Sequence, residues 1–83
     1  MELDKIRKGI DEIDDQIADL YAKRMSLVKE VSEAKKQSGK AVNDPDREKK
    51  VLLRVADRVE EDMQVYLKRV FETMFETSKA YKP

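Results

Sequence analysis

The N-terminal third of the chain carries apolar residues at alternating spacings of three and four, the pattern of one long helix packed along a narrow seam. Ten positions follow this spacing without a break: Leu3, Ile6, Ile10, Ile13, Ile17, Leu20, Arg24, Leu27, Val31 and Ala34. Nine of them are apolar, and the other is Arg24. A guanidinium group is costly to bury unless an anion meets it. The seam therefore predicts a long helix and raises the question of which anion Arg24 binds.

The predicted first helix is too long for a compact protein of 83 residues. It covers residues 3–38, which at ~1.5 Å per residue span about 54 Å. A compact chain of this size has a radius of gyration of only ~12 Å. Part of the apolar seam would then be exposed unless a second chain covers it. Length and pattern together predict a homodimer.

Two shorter helices are predicted after the first. The second covers residues 45–59, with Asp44 as its cap and Pro45 at its first position. The acidic cluster at 60–62 is the predicted turn, although a bent continuous helix also fits because no glycine or proline marks it. The third helix covers residues 63–81. The fold class is all-α, with three helices in one domain over residues 1–83. The predicted inward positions are Val51, Leu52, Val55, Val59, Met63, Leu67, Val70, Phe71, Met74 and Phe75.

Composition excludes several classes of function. The chain has no histidine or cysteine, which rules out disulfides, thiol chemistry, imidazole catalysis and most zinc sites. Lys+Arg and Asp+Glu both number 18, so no net charge favours nucleic acid or an anionic membrane. No apolar run is long enough to span a membrane. We therefore expect a cytoplasmic protein without the common types of zinc site.

Arg24 and Lys35 are candidates for binding one small anion. They lie 11 residues apart, close to three helical turns, so both point the same way with Cα atoms roughly 16 Å apart along the axis. Arg7 lies about 25 Å from Arg24 and a quarter turn away, so it reaches such a site only from a partner chain in an antiparallel dimer. The simpler alternatives remain open: Arg24 pairs with a core carboxylate or sets the dimer register, and Lys35 is a charge at a helix end.

The ordered set of residues resembles the all-helical chorismate mutases. The resemblance covers essentially the whole chain and keeps its spacing from Arg7 through Glu48 without a gap. It rests on Arg7, Ile13, Asp14, Arg24, Val31, Ala34, Lys35, Val42, Asp44, Arg47, Glu48, Val70, Phe71 and Ser78.

The resemblance implies an intertwined homodimer that rearranges chorismate to prephenate without a cofactor. Each of its two active sites would borrow an arginine from the other chain. By resemblance, Arg24 and the partner's Arg7 grip the two carboxylates of the substrate, and Arg47 and Ser78 assist. Guanidinium groups suit this task because they bind carboxylates with two parallel hydrogen bonds.

The resemblance also implies roles at the reacting atoms. Lys35 would donate to the breaking ether oxygen, Glu48 would accept from the ring hydroxyl, and the Asp44 backbone would orient that hydroxyl. At Lys82 the sequence departs from the family, which usually has glutamine or glutamate there as a second donor to the ether oxygen. The hypothesis is that Lys82 takes over this donation with a full charge.

Two other functions remain as alternatives. Related helical enzymes eliminate pyruvate from isochorismate in a similar cationic pocket, so the fold does not separate the two reactions. A non-catalytic coiled-coil module would explain the heptads but not a convergence of Arg24, Lys35 and Arg47. The sequence does not indicate whether the domain works alone or in a fusion, or whether aromatic amino acids regulate it.

Overall fold

The computed structural model describes residues 1–38 and 44–81, which form three α-helices. These are α1 (Glu2–Ser38), α2 (Pro45–Ala56) and α3 (Glu61–Ala80). Within these ranges there is no β-strand. The predicted all-α class with a long first helix is confirmed. Val42 and Lys82, two residues used in the sequence argument, lie outside the described residues.

Helix α1 extends well beyond the rest of the protomer. The molecule measures 56 × 29 × 16 Å, and its radius of gyration is 15.9 Å rather than the ~12 Å of a compact chain of this length. The eight larger apolar side chains of the seam are between 45% and 63% exposed in the single chain. Helices α2 and α3 are therefore too short to cover the seam of their own protomer.

Helix α2 begins as predicted at Pro45 but ends at Ala56, three residues before its predicted end. The chain tightens there, because the backbone N–H of Arg58 donates to the carbonyl of Val55 at 3.0 Å and that of Val59 to Ala56 at 3.3 Å. These bonds to the third preceding residue form a turn in place of a further α-helical turn. The three helices are separate, and the alternative of one bent helix does not occur.

The turn between α2 and α3 covers residues 57–60 and so lies earlier than the predicted 60–62. Glu60 has an extended backbone and is the residue before α3, while Glu61 and Asp62 belong to the first helical turn. Carboxylates are favourable there because the helix N-terminus carries partial positive charge. The side-chain amide of Gln64 donates to the Ala56 carbonyl at 2.9 Å and so caps the end of α2.

The core of the protomer is small and lies mainly between α2 and α3. Its buried apolar residues, among those described, are Met25, Val51, Ala56 and Phe75. Met63 and Val70, which were predicted to point inward, are 51% and 56% exposed. The helical period places them on an apolar face of α3, and about half of each side chain stays exposed in a single chain.

Side-chain hydrogen bonds join α1 to the end of α3, among them a long one of 3.8 Å from the Ser78 hydroxyl to Met25 Sδ. The Tyr21 hydroxyl donates to Thr77 Oγ1 at 2.9 Å, and Arg24 Nη1 donates to Ser78 Oγ at 2.8 Å. The middle of α1 is thereby attached to the last turns of α3. This attachment positions the cleft described below.

We expect Gln64→Ala to lower the free energy of unfolding by about 1 kcal/mol, because the Ala56 carbonyl loses the hydrogen bond from Gln64 and keeps the one from the Val59 N–H. The matched control is Glu72→Ala, an exposed position of α3 with a similarly small change in helix propensity. Urea denaturation at one fixed protein concentration measures both variants. Equal stability of the two would contradict a capping role for Gln64.

Candidate active site

One cleft lies where the second half of α1, the first turn of α2 and the last turns of α3 meet. Its volume is about 440 Å³. The apolar part of its wall consists of Leu27, Val28, Val31 and Phe75. The polar part consists of Arg24, Lys35, Asp44, Arg47, Glu48, Ser78 and Lys79. An apolar wall with a few converging charged groups is typical of a site for a small charged ligand.

Arg24 is half-buried and held on two sides by α3. One of its N–H groups donates to Ser78 Oγ at 2.8 Å, and its Cζ lies 5.9 Å from the centre of the Phe75 ring. The Ser78 hydroxyl has a single proton, which it donates to the Met74 carbonyl at 2.7 Å or to Met25 Sδ at 3.8 Å, so its oxygen accepts from Arg24. Among the described residues Arg24 has no carboxylate partner. The alternative of a core ion pair is therefore not realised within residues 1–38 and 44–81.

The start of α2 positions two further charged residues. Asp44 Oδ1 accepts the backbone N–H of Arg47 at 3.1 Å, and the Asp44 carbonyl accepts that of Glu48 at 3.1 Å. Pro45 fits the first helical position because its missing N–H would have no partner there. Capping thus orients the first turn of α2, from which Arg47 and Glu48 reach the cleft.

Glu48 and Lys79 form an ion pair across the cleft wall. Lys79 Nζ lies 2.9 Å from Glu48 Oε2, and the two side chains are 42% and 27% exposed respectively. The pair connects the first turn of α2 to the last turn of α3. It also leaves the second oxygen of Glu48 available to accept another hydrogen bond.

The cleft carries a net positive charge. Among the described residues, the cationic side chains that line it are Arg24, Lys35, Arg47 and Lys79, and the carboxylates are those of Asp44 and Glu48. At neutral pH the formal net charge is plus two. This charge suits a small dianion, and guanidinium groups favour carboxylates as its anionic groups.

Six of the eight residues predicted for the site line this cleft: Arg24, Lys35, Asp44, Arg47, Glu48 and Ser78. Arg7 is exposed and lies on the first turns of α1, 17 residues before Arg24 on the same unbroken helix. It does not line the cleft of its own chain. Lys82 lies outside the described residues.

Sequence reasoning missed Lys79 and most of the apolar wall. A usable signal existed, because Lys79 follows Phe75 by four residues, which places both on one face of α3. The partner of Lys79 lies 31 positions earlier, on another helix. A contact over that separation depends on how α2 and α3 pack, which spacing along one helix does not reveal.

The described residues hold neither a carboxylate cluster suited to a metal ion nor a membrane-spanning helix. Over residues 1–38 and 44–81, no three or more carboxylates are grouped so that they could hold a metal ion. None of the helices in these ranges has the length and apolar character needed to cross a membrane. The charged cleft is therefore the candidate active site.

Comparisons with known proteins agree with the character of this cleft. The profile of the family described as chorismate mutase type II matches residues 6–82. A chorismate mutase of Methanocaldococcus jannaschii is 43% identical over 81 residues, which cover 94% of this chain and 81% of that protein. No solved structure gives a significant match. The chain belongs to the type II chorismate mutase family, whose members are isomerases.

Proposed function

We propose that this protein rearranges chorismate to prephenate in the cleft between its three helices, as a homodimer in which each site is completed by Arg7 of the partner subunit. Family membership supports the reaction. The observation that carries the site is the convergence of Arg24, Lys35 and Arg47 on one cleft of net charge plus two. Chorismate carries two carboxylates, so its charge and that of the cleft are complementary.

The reaction is unimolecular and needs no group that the chain lacks. The ether C–O bond breaks as a C–C bond forms, with no proton gained or lost overall. Catalysis then depends on holding the reactive conformer and on stabilising charge that develops in the transition state. Both tasks suit a cleft of fixed cations with an apolar wall.

We assign the carboxylate-binding role to Arg24 and Arg47, together with the partner's Arg7. The hydrogen bond from Arg24 to Ser78 and its contact with Phe75 support this role, because they hold the guanidinium group before a ligand arrives. Ser78 acts in this proposal through Arg24, whose orientation it stabilises. A preformed cation costs less entropy on binding than one that must be ordered.

We assign the breaking ether oxygen to Lys35 and the ring hydroxyl to Glu48 and the Asp44 backbone. Lys35 is half-buried on α1 three turns after Arg24, which supports two cations acting on one ligand. The free oxygen of Glu48 supports its role as acceptor. Donation from Lys82 to the ether oxygen stays a prediction from the sequence.

The exposed seam supports the dimer. A folded monomer of 9.7 kDa exposes about 5,100 Å² of surface. This chain exposes 7223 Å², and the seam residues of α1 are prominent in it. The difference between these two exposed areas is of the order of the surface that stable dimers bury. An antiparallel partner would cover the seam and carry its Arg7 to the cleft.

The activity is tested by incubating the purified protein with chorismate and, separately, with isochorismate. We expect prephenate from chorismate and no pyruvate from isochorismate, with both products followed by NMR. Pyruvate release from isochorismate without prephenate formation would favour the lyase. A lack of turnover with either substrate, together with no rise in melting temperature on adding a bicyclic diacid analogue of the transition state, would favour a structural module.

We expect Arg24→Ala to lower kcat/KM by roughly 100-fold or more, because the substrate loses a preorganised charged donor. The matched control is Arg54→Ala, an exposed arginine in the last turn of α2. Steady-state kinetics with chorismate measure both variants. Full activity of Arg24→Ala would overturn the mechanism.

We expect Lys35→Met to lower kcat by about 100- to 1,000-fold, since the developing charge on the ether oxygen loses its cation. Lys36→Met removes the adjacent exposed ammonium group and serves as the control. A loss confined to KM would show that Lys35 binds the ground state and transition state equally well.

The shared site is tested by forming mixed dimers from two inactive variants, Arg7→Ala and Arg24→Ala. If Arg7 acts in the partner's site, each heterodimer contains one intact site, and random mixing restores about a quarter of the wild-type activity by two-fold symmetry. If both arginines act within one chain, no site is intact and activity stays absent. Denaturing and refolding each variant alone provides the control.

A further inference from the structure

The ion pair between Lys79 and Glu48 is the feature of the cleft that the proposed mechanism leaves unexplained. Lys79 Nζ lies 2.9 Å from Glu48 Oε2. Neither the sequence pattern nor the assigned roles give Lys79 a task. Glu48, however, is the residue assigned to the ring hydroxyl, so whatever holds its carboxylate bears on the reaction.

Glu48 shares its cleft with the cations that would grip the substrate. Arg24, Lys35 and Arg47 line the same 440 Å³ volume. A flexible carboxylate in such a place competes with the substrate's own carboxylates, because both form charge-assisted hydrogen bonds of the same kind. The cleft therefore needs a cation that engages Glu48 without being needed by the ligand.

Lys79 is a cation of this kind, and it contacts Glu48 from α3. It projects from the last turn of α3, whereas Arg24 and Lys35 lie on α1 and Arg47 lies on α2. Among the described residues, Lys79 is the cation found in an ion pair with Glu48. The pair uses one carboxylate oxygen and leaves the other for a hydroxyl donor.

A purely structural role explains the pair poorly. Both side chains are partly exposed, and pairs of this kind stabilise a fold by only about 0–1 kcal/mol. The packing of α2 on α3 already has the buried residues Val51, Ala56 and Phe75. Stability alone therefore gives little reason for a lysine at this position of the cleft.

We propose that Lys79 is a positioning residue for the reaction: its ion pair keeps the Glu48 carboxylate away from Arg24, Lys35 and Arg47 and directs it to the substrate's ring hydroxyl. The inference rests on the proposed function, specifically on the role of Glu48. The 2.9 Å contact then keeps the Glu48 carboxylate from competing with the substrate's carboxylates for the cations.

The test is a double-mutant cycle measured with chorismate. Lys79→Met removes the charge while keeping the length of the side chain. We expect kcat/KM to fall about tenfold, within the range of couplings measured for contacting residues, and to fall mainly through a higher KM. Lys79→Arg restores the pair and should stay within about twofold of wild type. The charge-matched control is Lys50→Met on the exposed side of α2, which should leave the kinetics unchanged.

The second arm of the cycle uses Glu48→Gln, whose neutral amide does not compete for the cations. In this background Lys79→Met should cause no further loss. A persisting tenfold loss would overturn the proposal, because Lys79 would then act on the substrate directly. A lowered melting temperature with unchanged kinetics in Lys79→Met would also overturn it.

The outcome for Glu48→Gln alone separates this inference from the function on which it rests. Full activity of Glu48→Gln would overturn the assigned role of Glu48 and this proposal with it. Loss of activity in Glu48→Gln, without coupling to Lys79, would leave the assigned role in place and overturn the positioning role alone.

Discussion

The length of α1 is the constraint on which the rest of the structure depends. A helix of 37 residues carries a continuous apolar seam, while α2 and α3 contribute only 12 and 20 residues to cover it. Apolar side chains along that seam are consequently about half exposed in one chain. Burial of apolar surface is the main favourable term in folding, so a protomer with so small a core has little stability of its own. The proposed homodimer would supply the packing that α2 and α3 do not provide.

Arg24 is the position at which the seam departs from its apolar pattern. Its neighbours in the repeat are apolar, and an apolar residue there would continue the packing. The arginine instead lies where α3 ends, held by Ser78 and flanked by the Phe75 ring. Half-burial in a cleft avoids the full cost of burying a charge and still excludes much of the water that would weaken its attraction for a ligand. Local departures from an ideal pattern are expected at functional sites.

The cleft combines oriented hydrogen-bond donors with the Glu48 carboxylate, which is held in an ion pair. Capping by Asp44 orients the first turn of α2, and the hydrogen bonds of Ser78 orient Arg24. Preorganised charges of this kind stabilise a transition state without reorganising during the reaction. The one carboxylate beyond the cap, Glu48, lies among cations that it could otherwise bind, and its pairing with Lys79 gives it a defined place. In the proposed mechanism, this pairing keeps the Glu48 carboxylate from competing with the substrate for the cations.

The sequence by itself determined the all-helical class, the long first helix and the start of α2, because the apolar period, Asp44 and Pro45 act locally. It also determined which residues of one helix share a face, such as Arg24 and Lys35. Only the tertiary structure decided where α2 ends, that Ser78 receives Arg24, and that Lys79 pairs with Glu48. It likewise decided that Met63 and Val70 stay exposed in one chain. Helical periodicity relates residues along one helix, whereas these contacts join separate helices and depend on the packing between them.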